Sequence, residues 1–325
     1  MRLRLWRTLL AAGLLAFVGF GSSLAEPPSW PQRIVRVIVP VSAGSGTDIA
    51  ARLFAERLAA RWKQPIAVEN RPGADGLIGT AAFAGQHDDH MLMFSFAAAI
   101  TIYPVIHDKL PFDPDRDIVP IAAATDTYIA VVASRHSKIE SLRDLMERAR
   151  AYPGALNYNA AAGELPYFFT GFLKGAGIEM VLVTYRDLNL AYQDVAEGRI
   201  DVQMTTLSPM LPLWQAGKIR VLAVTNAERA RIAPQIPTAV EAGYPGLALE
   251  GLAGFFGARD LPDDRRTRIA ADIRAVAADP VLSERLLATG QIARAGTPEE
   301  FSAELTERRA RMAAMVKLAG VRPVQ

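Results

Sequence analysis

Apolar positions along this chain follow two periods that take turns. Residues 34–39 form a β-branched, nearly continuous apolar run of the kind a buried parallel strand shows. Residues 48–62 then carry the spacing of an amphipathic helix. The same alternation predicts strands at 65–69, 91–94, 129–132, 156–158, 180–183, 201–204 and 219–224, and helices at 77–84, 141–151, 166–175, 188–197 and 209–215. Strand and helix in turn argue for an α/β architecture with parallel sheets and crossover helices. Further on, 263–278, 280–288 and 298–318 are all helical, separated by Pro or Gly breaks. A helical tail of that kind is expected to pack back onto a sheet rather than form its own domain.

Two stretches echo each other in layout. The first strand runs into Ser42, Ala43, Gly44, Ser45, Gly46, Thr47 and Asp48 before its helix. The strand at 156–158 runs into Asn159, Ala160, Ala161, Ala162, Gly163 and Glu164, and then into a helix with Pro166 in its first turn. Both loops are built of small residues whose backbone can approach a ligand closely, and both open onto a helix N-terminus with free N–H groups. That arrangement holds a carboxylate or phosphate without any cationic side chain. One such loop alone is adequately explained by close packing of strand and helix. Two of them favour a cleft between two α/β domains, because open sheets bind ligands beyond the carboxyl ends of their strands.

Length and composition narrow the classes. A chain of 325 residues suggests two domains. With no cysteine, a disulfide framework, a thiolate metal site, a cysteine nucleophile and a lipid anchor on cysteine are all excluded. Arg2, Arg4 and Arg7 precede an apolar run over 9–20, and Gly21, Ser22, Ser23, Leu24 and Ala25 follow with small residues at the cleavage positions. This is the pattern of a signal peptide cut after Ala25; the run is shorter than the roughly 20 apolar residues that span a bilayer. Without the three leader arginines the balance is 33 basic to 34 acidic residues. The basicity therefore belongs to the leader, and nothing in the remainder points to nucleic acid or an anionic membrane surface.

Other chemistries find no support. Ser45 sits between glycines on a strand-to-helix turn, but not in the G-x-S-x-G spacing of a nucleophile elbow. His87, Asp88, Asp89 and His90 could in principle hold a divalent metal, yet they read as a surface turn without a further ligand cluster. Neither G-x-x-x-x-G-K-[ST] nor G-x-G-x-x-G follows the first strand, so nucleotide cofactors are not expected. Asp113, Asp115 and Asp117 around Pro114 read as a solvated loop rather than an acid/base pair.

Longer motifs then become informative: Val68-Glu69-Asn70-Arg71-Pro72-Gly73-Ala74 with Gly76 and Ile78-Gly79; Lys109-Leu110-Pro111-Phe112-Asp113-Pro114; Ala216-Gly217-Lys218-Ile219-Arg220-Val221-Leu222-Ala223-Val224-Thr225; Ile236-Pro237-Thr238 with Glu241-Ala242-Gly243; and Gly296-Thr297-Pro298-Glu299-Glu300-Phe301. In these, over nearly all of the chain after the leader, it resembles the Bug family, the extracytoplasmic solute receptors of tripartite tricarboxylate transporters. The resemblance implies a two-lobe type II periplasmic binding fold, mixed sheets flanked by helices with a ligand cleft between lobes. The implied division is a signal peptide over 1–25, a discontinuous first lobe of 26–124 plus 228–325, and a second lobe of 125–227. It also implies a monomeric, non-enzymatic, cofactor-free and metal-free periplasmic receptor that closes on a small organic acid and delivers it to integral membrane transporter subunits. A sensor presenting the solute to a signalling partner shares that fold, and a periplasmic hydrolase is the remaining alternative.

Carried over by position, the ligand-holding loops are 42–48 and 159–166, the pair singled out above. Ser42, Ala43, Gly44, Ser45, Thr47, Asp48, Ala160, Ala161, Gly163 and Glu164 are the candidates they supply, with Asp48 placed to cap its helix. Ser95, Ala97, Tyr185, Asp187 and Thr205 lie at or just after strand ends and are candidates for shaping the distal pocket. This chain departs from the family pattern at Val41, Ser45, Ala160, Ala161, Ala162, Glu164, Leu165, Pro166, Arg186, Asp187 and Thr205. Those changes leave backbone recognition of one carboxylate intact. An apolar second loop, with Tyr167 and Phe168 just beyond, hints at a less polar or aromatic acid, though rings filling the core beneath the loop are the favoured reading.

Overall fold

The computed structural model describes residues 30–185 and 187–322; the predicted leader lies outside them. Trp30–Gln32 belong to a separate leading unit, and the body begins at Arg33. Its first sheet is formed by β1 (Val35–Val39), β2 (Ile66–Asn70), β3 (Met91–Phe96), β4 (Ile118–Thr127), β10 (Gly251–Ala258) and β11 (Gln291–Ala293), in the spatial order β11-β4-β10-β3-β1-β2. The second is formed by β5 (Ile129–Ser134), β6 (Asn157–Ala160), β7 (Val181–Leu182), β8 (Val202–Thr206) and β9 (Ile219–Val224), in the order β7-β6-β8-β5-β9.

Both sheets are mixed, as the family resemblance implies, which corrects the parallel sheets read from the alternation of strand and helix. Strands β1, β2 and β3 run parallel, but β10 is antiparallel to β3 and β4. In the second sheet β6 is parallel to β7 and β8, while β5 is antiparallel to β8 and β9. Direction was illegible because a strand covered on both faces shows the same apolar run in either sense. Three strands were also missed. β4 is alanine-rich and contains Pro120, and β10 carries three glycines, so neither has strong β propensity. Gly254 is required where it stands: a Cβ would lie 2.6 Å from the Ala122 carbonyl and 2.6 Å from the Phe301 ring.

The principal helices are α1 (Gly46–Trp62), α2 (Leu77–Ala84), α3 (Ala98–Thr101), α4 (Leu142–Ala151), α5 (Leu165–Gly175), α6 (Leu188–Glu197), α7 (Asp263–Ala277), α8 (Pro280–Leu287) and α9 (Pro298–Ala319). Helix α9 starts in a capping box, Thr297 and Glu300 satisfying each other's backbone N–H, and stops at Gly320 in the left-handed region. As expected, the helical tail packs back: α7 and α9 lie on β4, α8 lies on β11, and α9 also lies along α5. Phe255 and Phe256 face opposite sides of the first sheet, as a two-residue period requires. Phe255 stacks edge-on against Phe54 and Phe94 at 5.7 and 4.9 Å, while Phe256 meets Phe301 at 5.3 Å. Among the described residues no helix is long and apolar enough to cross a membrane.

The sheets are joined by two adjacent connections. Only Tyr128 separates β4 from β5. On the return path Asn226 accepts from the Ile129 amide (3.0 Å) and donates to the Thr127 carbonyl (3.2 Å), tying the outward strand to the returning one. Beside this junction Asp126 is buried, and burial pushes its carboxyl up to about 7 despite Arg294 at 3.1 Å. Arg294 is shared with Glu304 at 2.8 Å, and Glu250 adds further negative charge. Between about pH 4 and 7 the native protein thus retains a proton that the unfolded chain has released, so stability falls as pH rises through that window. We expect Asp126→Asn to flatten this decline, by on the order of 1–3 kcal/mol between pH 5 and 8, in urea unfolding at both pH values. An equal pH slope in the two proteins would contradict the assignment.

Candidate functional site

The first loop is shaped by a polar clamp. Strand β1 ends at Val39; the cap of α1 is Ser45 rather than the expected Asp48, which lies inside the first turn, and the Ser45 Oγ accepts from the Asp48 amide at 3.3 Å. Asp48 is 2 % exposed and folds back to accept from the Gly44 amide at 2.8 Å, from Asn70 Nδ2 at 2.8 Å and from Arg52 Nε at 3.0 Å. Burial alone would raise its pKa, but the bonds from Arg52, Gly44 and Asn70 outweigh burial and hold it below the usual carboxylate range. Asn70 also donates to the Val41 carbonyl at 3.1 Å, which gives the Val-Glu-Asn-Arg-Pro-Gly run a structural role: it fixes the loop on the neighbouring strand. Gln291 donates to the Gly46 carbonyl at 2.9 Å from the far edge of the sheet. The amides of Gly46 and Thr47 have no acceptor among the described residues.

The second loop leaves β6 at Ala160. The Ala161 amide donates to the Met204 carbonyl at 2.9 Å, while those of Ala162 and Gly163 have no acceptor among the described residues. Gly163 has φ +90° with nothing near its missing side chain, so backbone conformation rather than space demands glycine. Glu164 is buried. Its carboxylate accepts from Arg308 on α9 (Nε 2.9 Å, Nη2 2.6 Å) and from the Thr101 hydroxyl on α3, with the pair's side chains only 12 % and 8 % exposed. Arg308 also donates to the Glu250 carbonyl at 2.6 Å.

The two loops meet on one cleft. An inner cavity of about 190 Å³ is lined by Thr47, Ala97, Thr127, Glu164, Glu250, Gln291 and Arg308 among others. An outer one of about 530 Å³ is lined by Pro40, Val41, Ser42, Asp75 and Leu188 among others. Phe96, Ala161, Ala162, Gly163 and Thr206 line both, so the cavities are continuous. The cleft opens at the carboxyl ends of β1, β3, β6 and β8, where open α/β sheets present ligand sites.

Of the candidates named from the sequence, Ser42, Thr47, Ala97, Ala161, Gly163 and Glu164 line this cleft. Ala43, Gly44, Ser45, Asp48 and Ala160 lie in the loops that frame it, without lining either cavity. Ser95 is buried and donates to the Phe96 carbonyl at 3.1 Å; Thr205 is buried against the Tyr192 hydroxyl at 3.3 Å. Tyr185 donates to Asp194 at 2.5 Å, its pKa raised to about 12 by burial and that bond, and Asp187 caps α6 through the Asn189 amide at 2.9 Å. Phe96 and Thr206, each one residue along its strand from Ser95 and Thr205, are the side chains that line the cleft; a one-residue step reverses the face. Glu250, Gln291 and Arg308 were not singled out, since no local pattern links residues so distant in sequence.

Elsewhere, Asp88, Asp89 and His90 bring three possible metal ligands within 4.8 Å, but arginines occupy both carboxylates: Arg33 pairs with Asp88 at 2.5 Å and Arg265 with Asp89.

A mixed two-sheet α/β body with a cleft at the strand ends matches periplasmic binding protein structures in architecture. The chain belongs to the tripartite tricarboxylate transporter family receptors, the TctC family, whose model matches residues 50–320. It is 28% identical over 324 residues to a UPF0065 protein of Bordetella bronchiseptica, covering 98% of this chain and 94% of that one. It is 29% identical over 242 residues to protein BugT of Bordetella pertussis, covering 71% and 74%. Among solved structures it is similar to Rpa4515 of R. palustris with adipate, at 27% identity and a TM-score of 0.80, covering 91% of this chain and 100% of that one.

Proposed function

We propose that this protein is an exported periplasmic receptor that captures a small organic acid and delivers it to integral membrane transporter subunits. The observation that carries this reading is the convergence on one cleft of two small-residue loops whose lining residues Thr47, Ala162 and Gly163 have backbone amides without an acceptor among the described residues. Uncharged donors at two helix entrances suit a carboxylate without drawing on net charge. The adipate held by the related structure supports an acid as ligand. In this reading the lobes are 26–124 with 228–325, and 125–227; they close by rotation at the Tyr128 and Asn226 connections, and the leader over 1–25 directs export.

The test is a thermal-shift screen of mature protein refolded free of ligand, against a library of mono- and dicarboxylates, amides and aromatic acids. A ligand bound by the folded state alone stabilises it by mass action, so at least one acid is expected to raise the unfolding midpoint by several degrees in a concentration-dependent way. A flat response across the whole library would sink the proposal.

A further inference from the structure

The inner and outer cavities meet at a junction lined by Phe96, Ala161, Ala162, Gly163 and Thr206. Four of these end or follow strands of the second sheet and are small. Phe96 alone comes from the first sheet, as the last residue of β3, and it is the only aromatic among the described residues that line the cleft. The junction is thus bounded by one ring from one sheet and by small residues from the other. That ring is well supported. Phe96 pairs with Ala253 on β10, and the next amide, Ala97, donates to the Leu252 carbonyl at 2.9 Å. Its half-buried side chain packs on the core that includes Ala98, Ile102 and Leu165. The tip of the ring reaches the turn at Gly76, where a Cβ would lie 3.5 Å from the ring's Cζ and 3.1 Å from the Pro40 carbonyl. Gly76 has φ +100°, so this turn brings bare backbone against the ring.

The amides of Ala162 and Gly163, without an acceptor among the described residues, belong to the same junction. A carboxylate seated on them places its adjoining carbon beside the ring, whether the rest of the molecule extends inward or outward. Extra groups on that carbon would press on a wall that has core and backbone behind it, and a close-packed wall yields only at a cost. We infer that Phe96 sets the specificity of the cleft by limiting the bulk of the acid at the carbon next to its carboxylate, so that acids unbranched there are taken and acids crowded there are refused. This inference rests on the receptor reading above and deepens it by naming the shape of the ligand.

Titration calorimetry of refolded mature protein with matched acids tests it: propanoate against pivalate, phenylacetate against diphenylacetate, and adipate against adipate dimethylated at both carbons beside its carboxylates. In whichever pair binds, the less substituted acid is expected to bind at least about tenfold more tightly than its crowded partner. In Phe96→Ala that ratio is expected to shrink at least about fivefold, and in Phe96→Leu, which keeps an apolar contact with the core beneath, by about half. A ring that only supported the fold would weaken both members of a pair alike and leave their ratio unchanged, so the ratio is read beside the unfolding midpoint of each ligand-free variant. Should the alanine variant fail to fold, the leucine variant decides. A crowded acid bound by the parent as tightly as its partner, or a ratio unchanged in the folded variants, overturns the role of Phe96 while leaving the receptor reading in place. Absence of binding by all of these acids overturns that role too, and if no acid in the wider library binds, the receptor reading falls with it.

Discussion

Replacing Arg308 with alanine is expected to cost about 3–5 kcal/mol of stability, a fall in unfolding midpoint on the order of 10 °C. The reason is what it leaves behind. Glu164, with its side chain 8 % exposed, would keep only the Thr101 hydroxyl, one neutral donor for a buried charge. Breaking a buried pair from one side is far costlier than removing both partners, because the desolvated charge remains while its compensation is gone. The double replacement Arg308→Met with Glu164→Leu is therefore expected to recover most of the loss. Thr101 would not be stranded there, since its hydroxyl can donate to the Ala97 carbonyl, already within 3.0 Å. Urea unfolding of both proteins distinguishes the accounts: a single variant that loses less than about 1 kcal/mol, or a double variant no more stable than the single one, would show that the pair is not what holds this corner together.

The second large effect concerns ligand capture. Ala162 is exposed and lines both parts of the cleft, so a bulky side chain there enters the ligand's space rather than the core. Ala162→Trp is expected to weaken binding of the best acid from the thermal screen at least 100-fold, while the midpoint of the ligand-free protein moves by no more than about 2 °C. Ala162→Ser adds one atom and is expected to stay within about tenfold of the parent. Calorimetric affinities for the three proteins decide the matter. A tryptophan variant that binds within a few-fold of the parent would place the ligand somewhere other than this cleft.

Much of this arrangement could be read from the chain before any coordinates. Strand β1, helix α1 and their small-residue loop announce themselves because their signals are local: β-branched runs, helical spacing and glycines within a few residues of each other. Strands β4 and β10 do not, since alanine and glycine fit a crowded central sheet for reasons of space that only the neighbouring strands reveal, as the Ala122 carbonyl does at Gly254. The cleft divides along the same line. Its two backbone loops were legible, whereas Arg308 and Gln291 reach it from helices and strands far along the chain. Ser95 and Thr205 show a third limit: a strand end can be located within a residue, yet one residue decides which side chain faces the ligand.

The strand orders of the two sheets also bear on how the protein comes to be folded. All five strands of the second sheet fall within 129–224, so each of its pairings closes within that one segment of chain. The first sheet inserts β10 between β3 and β4, and β10 arrives only after that whole second sheet has been laid down. Closing a loop that encloses the whole second sheet carries a somewhat larger entropic cost, and pairings of high sequence separation form slowly. Until β10 arrives, β3 and β4 each present an open edge with unpaired backbone groups, the form of strand most prone to join the wrong partner. On the export route proposed above, with the chain emerging in order, the interval between the emergence of β4 and of β10 is thus the one in which a holding chaperone has most to protect.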